Sequence, residues 1–128
     1  MLRSIRWAAV VICVAAPAAA QQVNQLHCSG VFAGAPAEIV GIRKFAPYNA
    51  LGDGQVQFRG TIAAAGMQGS IGYEGYTRTA PFTGIVEGPL GTKTIGVLDN
   101  TGGRMLIYDG TASLGPPRTL GEFACAWR

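Results

Sequence analysis

Two cysteines constrain this chain more than anything else in it. Cys28 lies in Leu26-His27-Cys28-Ser29-Gly30 near the start, and Cys125 in Phe123-Ala124-Cys125-Ala126-Trp127 near the finish. A third, Cys13, falls inside an apolar run, Trp7 to Ala16, that follows Arg3 and Arg6 and precedes Ala18-Ala19-Ala20. A basic start, a short apolar stretch and a small-x-small site are the marks of an export signal. The reading is therefore a signal peptide at 1–20 and a mature domain at 21–128. Ile12 is too bulky for the residue before a lipid-modified cysteine, so Cys13 leaves with the signal. Two cysteines remain, and an even pair in an exported chain pairs as a disulfide.

Removing the signal also changes the charge. Lys plus Arg falls from 10 to 8 without Arg3 and Arg6, against 7 acidic residues, which takes the net charge from +3 to +1. A nearly neutral domain carries no electrostatic footprint for nucleic acid or an anionic membrane. Arg43-Lys44 and the isolated Arg59, Arg78, Lys93 and Arg104 read as scattered, solvated charges. No stretch beyond the signal approaches the roughly 20 apolar residues of a spanning helix.

The mature part shows period-two alternation broken by Gly, Pro, Asn and Asp, the pattern of short strands. Candidate strands fall at 23–32, 38–45, 55–64, 67–76, 82–87, 93–98, 104–108 and 122–128. Residues 55–64 are the clearest, with Val56, Phe58, Ile62 and Ala64 opposite Gln55, Gln57, Arg59 and Thr61, one buried face and one wet. Gly34-Ala35-Pro36, Ala65-Gly66, Gly88-Pro89-Leu90-Gly91 and Asp99-Asn100-Thr101-Gly102-Gly103 read as turns. Glycines within the strands, among them Gly41, Gly60, Gly72 and Gly84, permit the sharp bends of a small barrel.

These elements define an all-β fold: a single small antiparallel domain of about eight strands. Both cysteines fall on the apolar faces of the end strands, and a disulfide needs their Cα atoms within about 7 Å. Joining the edges of an even-numbered meander closes it into an up-and-down β-barrel. A β-sandwich with both end strands in one sheet is the alternative.

Catalytic chemistry finds little support. The single histidine, His27, points away from Cys28, and Ser29 shares its face without any sign of activation. Gly69-Ser70-Ile71-Gly72 lacks the glycine two before the serine that a nucleophile elbow requires. Among the carboxylates, Asp99 reads as a turn residue and Asp109 as a strand end, while Glu74 and Glu87 read as solvated residues on neighbouring strands. The expectation is a non-enzymatic module with no cofactor and no metal. Its partner, a protein or a small molecule, is unspecified, and its location is periplasmic or secreted in a bacterium. Tyr73, Phe123 and Trp127 read as core, and Tyr76 and Tyr108 as candidate contact residues. A rim of the longest connections, 46–54, 77–81 and 109–121, is the expected working surface, and an apolar ligand in the barrel mouth is a further option.

The layout resembles that of the periplasmic inhibitors of C-type lysozyme, small exported eight-stranded barrels whose first and last strands are disulfide-linked. Thr101-Gly102-Gly103-Arg104-Met105 keeps the Gly and Arg of their Ser-Gly-x-Arg-Tyr loop, with Thr and Met in place of Ser and Tyr. The resemblance covers the organisation and these five residues. It implies that Arg104 would reach a lysozyme's catalytic carboxylate.

Overall fold

The computed structural model describes residues 22–46, 53–88, 90–100, 103–110 and 118–127. The expected signal at 1–20, Cys13, and most of the connections 46–54 and 109–121 lie outside the described residues. Within them the chain forms eight strands: β1 (Gln22–Phe32), β2 (Ala35–Ala46), β3 (Gln55–Ala64), β4 (Met67–Tyr76), β5 (Phe82–Glu87), β6 (Lys93–Asn100), β7 (Arg104–Asp109) and β8 (Thr119–Trp127). Each strand pairs antiparallel with the next, and β8 returns to β1, so the sheet is a closed barrel. The barrel, not the sandwich, is the fold.

Closure follows from the register at the seam. Cys28 and Cys125 are direct partners in the β1/β8 ladder, their Cα atoms 4.0 Å apart, and they are bonded. Neither end strand is left as an open edge, the hazard that closure removes.

Several strands run further than the turn residues suggest. Ala33 and Gly34 alone turn the chain between β1 and β2, at φ 50° and 85°, and Ala65 and Gly66 do the same between β3 and β4, at 52° and 77°. Positive φ at both central residues is the two-residue hairpin geometry whose twist matches that of its strands. The break at Gly34-Ala35-Pro36 therefore shrinks, and Pro36 enters β2 opposite Val31, before the β2/β3 ladder begins at Ala37.

The two faces divide as the alternation requires. Leu26, Phe32, Ile39, Phe58, Ile62, Ile95, Met105, Ile107 and Phe123 are all inside and fully buried. Outside stand Glu38, Lys44, Arg59, Glu74, Glu87, Arg104 and Glu122, all exposed. Val31, Val40, Ile42, Ile85 and Leu98 are exposed on the same outer wall. Among the described residues no helix is long and apolar enough to cross a membrane.

Close packing relies on bare backbone in places. A Cβ on Gly41 would stand 2.6 Å from the tip of the Phe58 ring, and one on Gly60 would stand 2.8 Å from it. The ring therefore lies across both glycines. Phe58, Tyr73 and Phe82, from three successive strands, then stack with centroids 5.1 and 5.8 Å apart. Offset aromatic pairs of this kind fill a narrow interior without voids.

Candidate functional site

Strand direction sorts the connections between two ends of the barrel. The connections after β2, β4 and β6 leave the end where β1 starts and β8 finishes, here the terminal end; those after β1, β3, β5 and β7 leave the opposite, hairpin end. The expected rim is corrected by this. Connections 46–54 and 77–81 share the terminal end, whereas 109–121 belongs to the hairpin end. The first two are knit together: Thr77 N–H donates to Gly54 O at 2.8 Å, Gly54 N–H to Thr77 Oγ1 at 3.1 Å, and Arg78 N–H to Asp53 Oδ1 at 3.0 Å.

Just inside the terminal end lies a polar group that the sequence does not announce. Arg43, expected as a solvated charge, is 4% exposed, and Asp99, expected in a turn, is 9% exposed. Both are corrections with one cause. Arg43 continues the inward series Ile39, Gly41, and Asp99 continues Ile95, Val97, because β2 and β6 keep their period to the strand ends. Arg43 Nε stands 2.9 Å from Asp99 Oδ2. Tyr73 donates its hydroxyl proton to the same oxygen at 2.5 Å.

Neither Nε nor Nη2 of Arg43 makes an aligned hydrogen bond among the described residues. The guanidinium instead lies 4.8 Å from the Trp127 ring centroid and 5.7 Å from that of Phe45. Cation–π attraction strengthens when both groups are desolvated, so the rings take over part of the work of solvation. In an eight-strand ring β2 and β6 stand diametrically opposite, with β4 (Tyr73) and β8 (Trp127) on the crossing diameter. Four strands are braced through one ion pair, Trp127 meeting its cation and Tyr73 its carboxylate. Burial first, then the Asp99 charge and the hydrogen bond to it, raise the Tyr73 pKa far above the usual tyrosine value, with Arg43 pulling weakly the other way. The phenol is therefore held as a proton donor.

Among the described residues, side chains thus cross the interior at this end and pack the core behind it. Tyr73 and Phe123 lie in the core as expected, while Trp127 is a half-buried lid over Arg43.

On the outer wall the sequence-derived candidates are dispersed. Arg104, at the start of β7, is exposed and paired through Nη2 with Glu122 Oε1 of β8. Tyr108, four residues along the same strand, is half-buried. Tyr76, 47% exposed, ends β4, three strands away, and shares no site with either. His27 Nε2 comes within 3.7 Å of Glu38 Oε2, and Ser29 is the ladder partner of Glu38. These three share the outer face of β1 and β2. Glu74 and Glu87 do occupy neighbouring strands and the same outer face. Glu74 pairs with Thr83 and Glu87 with Ser70, so four residues of strand, about 13 Å at the usual rise, separate them. That exceeds the separation of a glycosidase carboxylate pair. Glu74 also accepts a hydrogen bond from Gln57 Nε2 at 3.3 Å.

Between these two carboxylates lies an open groove of about 570 Å³ on the outer faces of β3, β4 and β5, reaching Thr94 of β6. Its middle is one row across the sheet: Arg59 pairs with Gly72, Gly72 with Ile85, and Ile85 with Thr94. Gly72 leaves the row without a side chain, which makes the hollow. A Cβ there would meet only the Arg59 Nη1 end, at 3.0 Å, with no other heavy atom nearer than 3.5 Å. Sequence reading treats Gly72 as a bend-permitting glycine, and nothing in the alternation marks it as the floor of a groove.

Among the described residues no group of three or more His, Cys, Asp and Glu could hold a metal ion. The chain matches no known family profile, no curated protein and no solved structure.

Proposed function

We propose that this protein is an exported, non-enzymatic binding module of the bacterial envelope or secretome, working through its outer surface. One observation carries the reading: the interior is packed with side chains and crossed at the terminal end by Arg43, Asp99 and Tyr73. An interior packed with side chains among the described residues favours recognition by the wall and ends over an inner chamber. The disulfide fits an oxidising compartment. The second reading, lysozyme inhibition through Arg104, draws no support from the wall: that guanidinium is already engaged by Glu122.

Two measurements test the proposal. Fractionation with N-terminal sequencing should find an exported chain beginning at Gln21. Affinity capture from periplasmic extract should yield a partner that outer-wall substitutions release. A lipid or other apolar molecule carried inside the purified barrel, seen by native mass spectrometry, would overturn the surface reading. Inhibition of lysozyme abolished by Arg104→Ala would replace it with the second.

A further inference from the structure

The groove over Gly72 presents charges from three adjacent strands at three successive levels, and we infer that it docks an extended peptide segment of a partner protein carrying basic–x–acidic–x–basic side chains. The inference rests on the surface-binding reading and names the partner chemistry. The ladder sets three levels along β4. Glu87 stands at the level of Ser70, Arg59 at the level of Gly72, and Glu74 two residues further on. The wall therefore reads negative, positive, negative, at intervals of about 6.6 Å.

An extended chain lying along the groove shows every second side chain to it at the same interval. Its complement is a lysine or arginine at i, an aspartate or glutamate at i+2, and a lysine or arginine at i+4. The other features of the groove suit the same guest. Arg59 makes no ion pair among the described residues, leaving its charge for the central carboxylate, and its guanidinium end lies against the bare backbone of Gly72. Ile85, 51% exposed, offers apolar surface to the methylene stem of a basic side chain. Ser70, Thr83 and Thr94 supply hydroxyls along the walls. With two carboxylates and one guanidinium, the groove favours a guest of net positive charge.

The closed barrel rules out one familiar mode of peptide capture. Every strand is already paired on both sides, so the guest adds no strand to the sheet and is held by side chains alone. Affinity for one short segment is accordingly weak and salt-dependent.

The test is an amide-shift titration of the oxidised mature protein with a blocked Lys-Ser-Glu-Ser-Lys peptide, with Glu-Ser-Lys-Ser-Glu as the charge-reversed control. The expected result is saturable shifts at Ser70, Gly72 and Ile85 with the first peptide only. Glu87→Gln and Glu74→Gln should each weaken binding by about fivefold, the scale of one exposed ion pair. Gly72→Val should abolish the shifts while keeping the wild-type circular dichroism spectrum, since a Cβ at this position meets only the flexible Arg59 tip closely. Equal response to both peptides, or unchanged binding in Gly72→Val, would overturn the inference. So would peptide-independent shifts that grow with protein concentration, which would assign the groove to a second copy. Saturable shifts confined to another part of the wall would reject the groove and leave surface binding standing.

Discussion

The barrel is tied twice, and the two ties work by different physics. At the seam, Cys28 and Cys125 join adjacent strands that already share a ladder. At the terminal end, Arg43 and Asp99 join strands on opposite sides of the ring. The covalent tie adds little to the folded state's contacts and acts chiefly on the unfolded chain, by closing a loop with a sequence separation of 97. The polar tie acts only in the folded state, where it must offset the cost of stripping water from two charges. The comparison separates stability from specificity. The seam makes the fold stable, whereas the brace penalises any arrangement that leaves either charge alone.

The largest effect should come from the seam. Replacing both Cys28 and Cys125 with serine should lower unfolding free energy by about 4–5 kcal/mol, measured by denaturant titration. A loss below 1 kcal/mol would mean that the unfolded chain keeps its ends together without the bond.

The brace should respond less simply. Asp99→Ala strands the Arg43 cation in the interior and should cost about 3–5 kcal/mol. Replacing the pair together, Arg43→Met with Asp99→Leu, should cost far less than the sum of the single changes, and an apolar pair of similar volume can be neutral. A strictly additive double variant would show that the two side chains are not coupled.

Tyr73 couples the brace to pH. Its folded pKa is raised above the unfolded value of 10.0, so its neutral form is favoured by folding. That contribution is fully present below the unfolded pKa and is lost as pH rises above it. Stability should therefore fall above about pH 10, with the Tyr73 phenolate absorbance appearing only as the chain unfolds. Tyr73→Phe should remove that alkaline component and cost about 1.5–3 kcal/mol at neutral pH, the range for a hydrogen bond to a charged group. A Tyr73 that ionises in the folded protein near the ordinary value would contradict its placement against Asp99.

The smallest effect lies at the hairpin end, far from both ties. Ala65 sits at φ 52°, where a side chain is strained and glycine is not. Ala65→Gly should raise the melting temperature modestly, worth about 0.5–1 kcal/mol after the entropy that glycine gives the unfolded chain.

How much the sequence discloses differs between the two ties for the same reason. A cysteine pair in an exported chain has one dominant meaning, and its place on the end strands implies closure. Arginine and aspartate carry no such bias. Arg43 sits beside Lys44, and Asp99 beside Asn100 in a turn-rich stretch, so local composition places both outside. Only the ladders, which set the inward phase of β2 and β6 against their neighbours, reveal them as partners. The inward Tyr73 and Phe123 were legible because aromatic residues alternating with polar ones admit one face. The groove was not legible, because its defining feature is an absent side chain at Gly72 and a register across four strands. The ends to which the long connections belong follow from counting strands, and that count separates 109–121 from the other two.

One property of the seam reaches beyond this particular chain order. Because the strand number is even, β1 begins and β8 finishes at the same end, with Leu26 opposite Trp127. A short linker could join the two termini and a new opening could be cut between Ala65 and Gly66, leaving every ladder but that hairpin's turn intact. In such a permutant the same disulfide would close a loop of only about fifteen residues, linker included, and its entropic contribution would drop by roughly 1.7 kcal/mol. The bond would be unchanged in place and in chemistry. Its worth is set by where the chain happens to start.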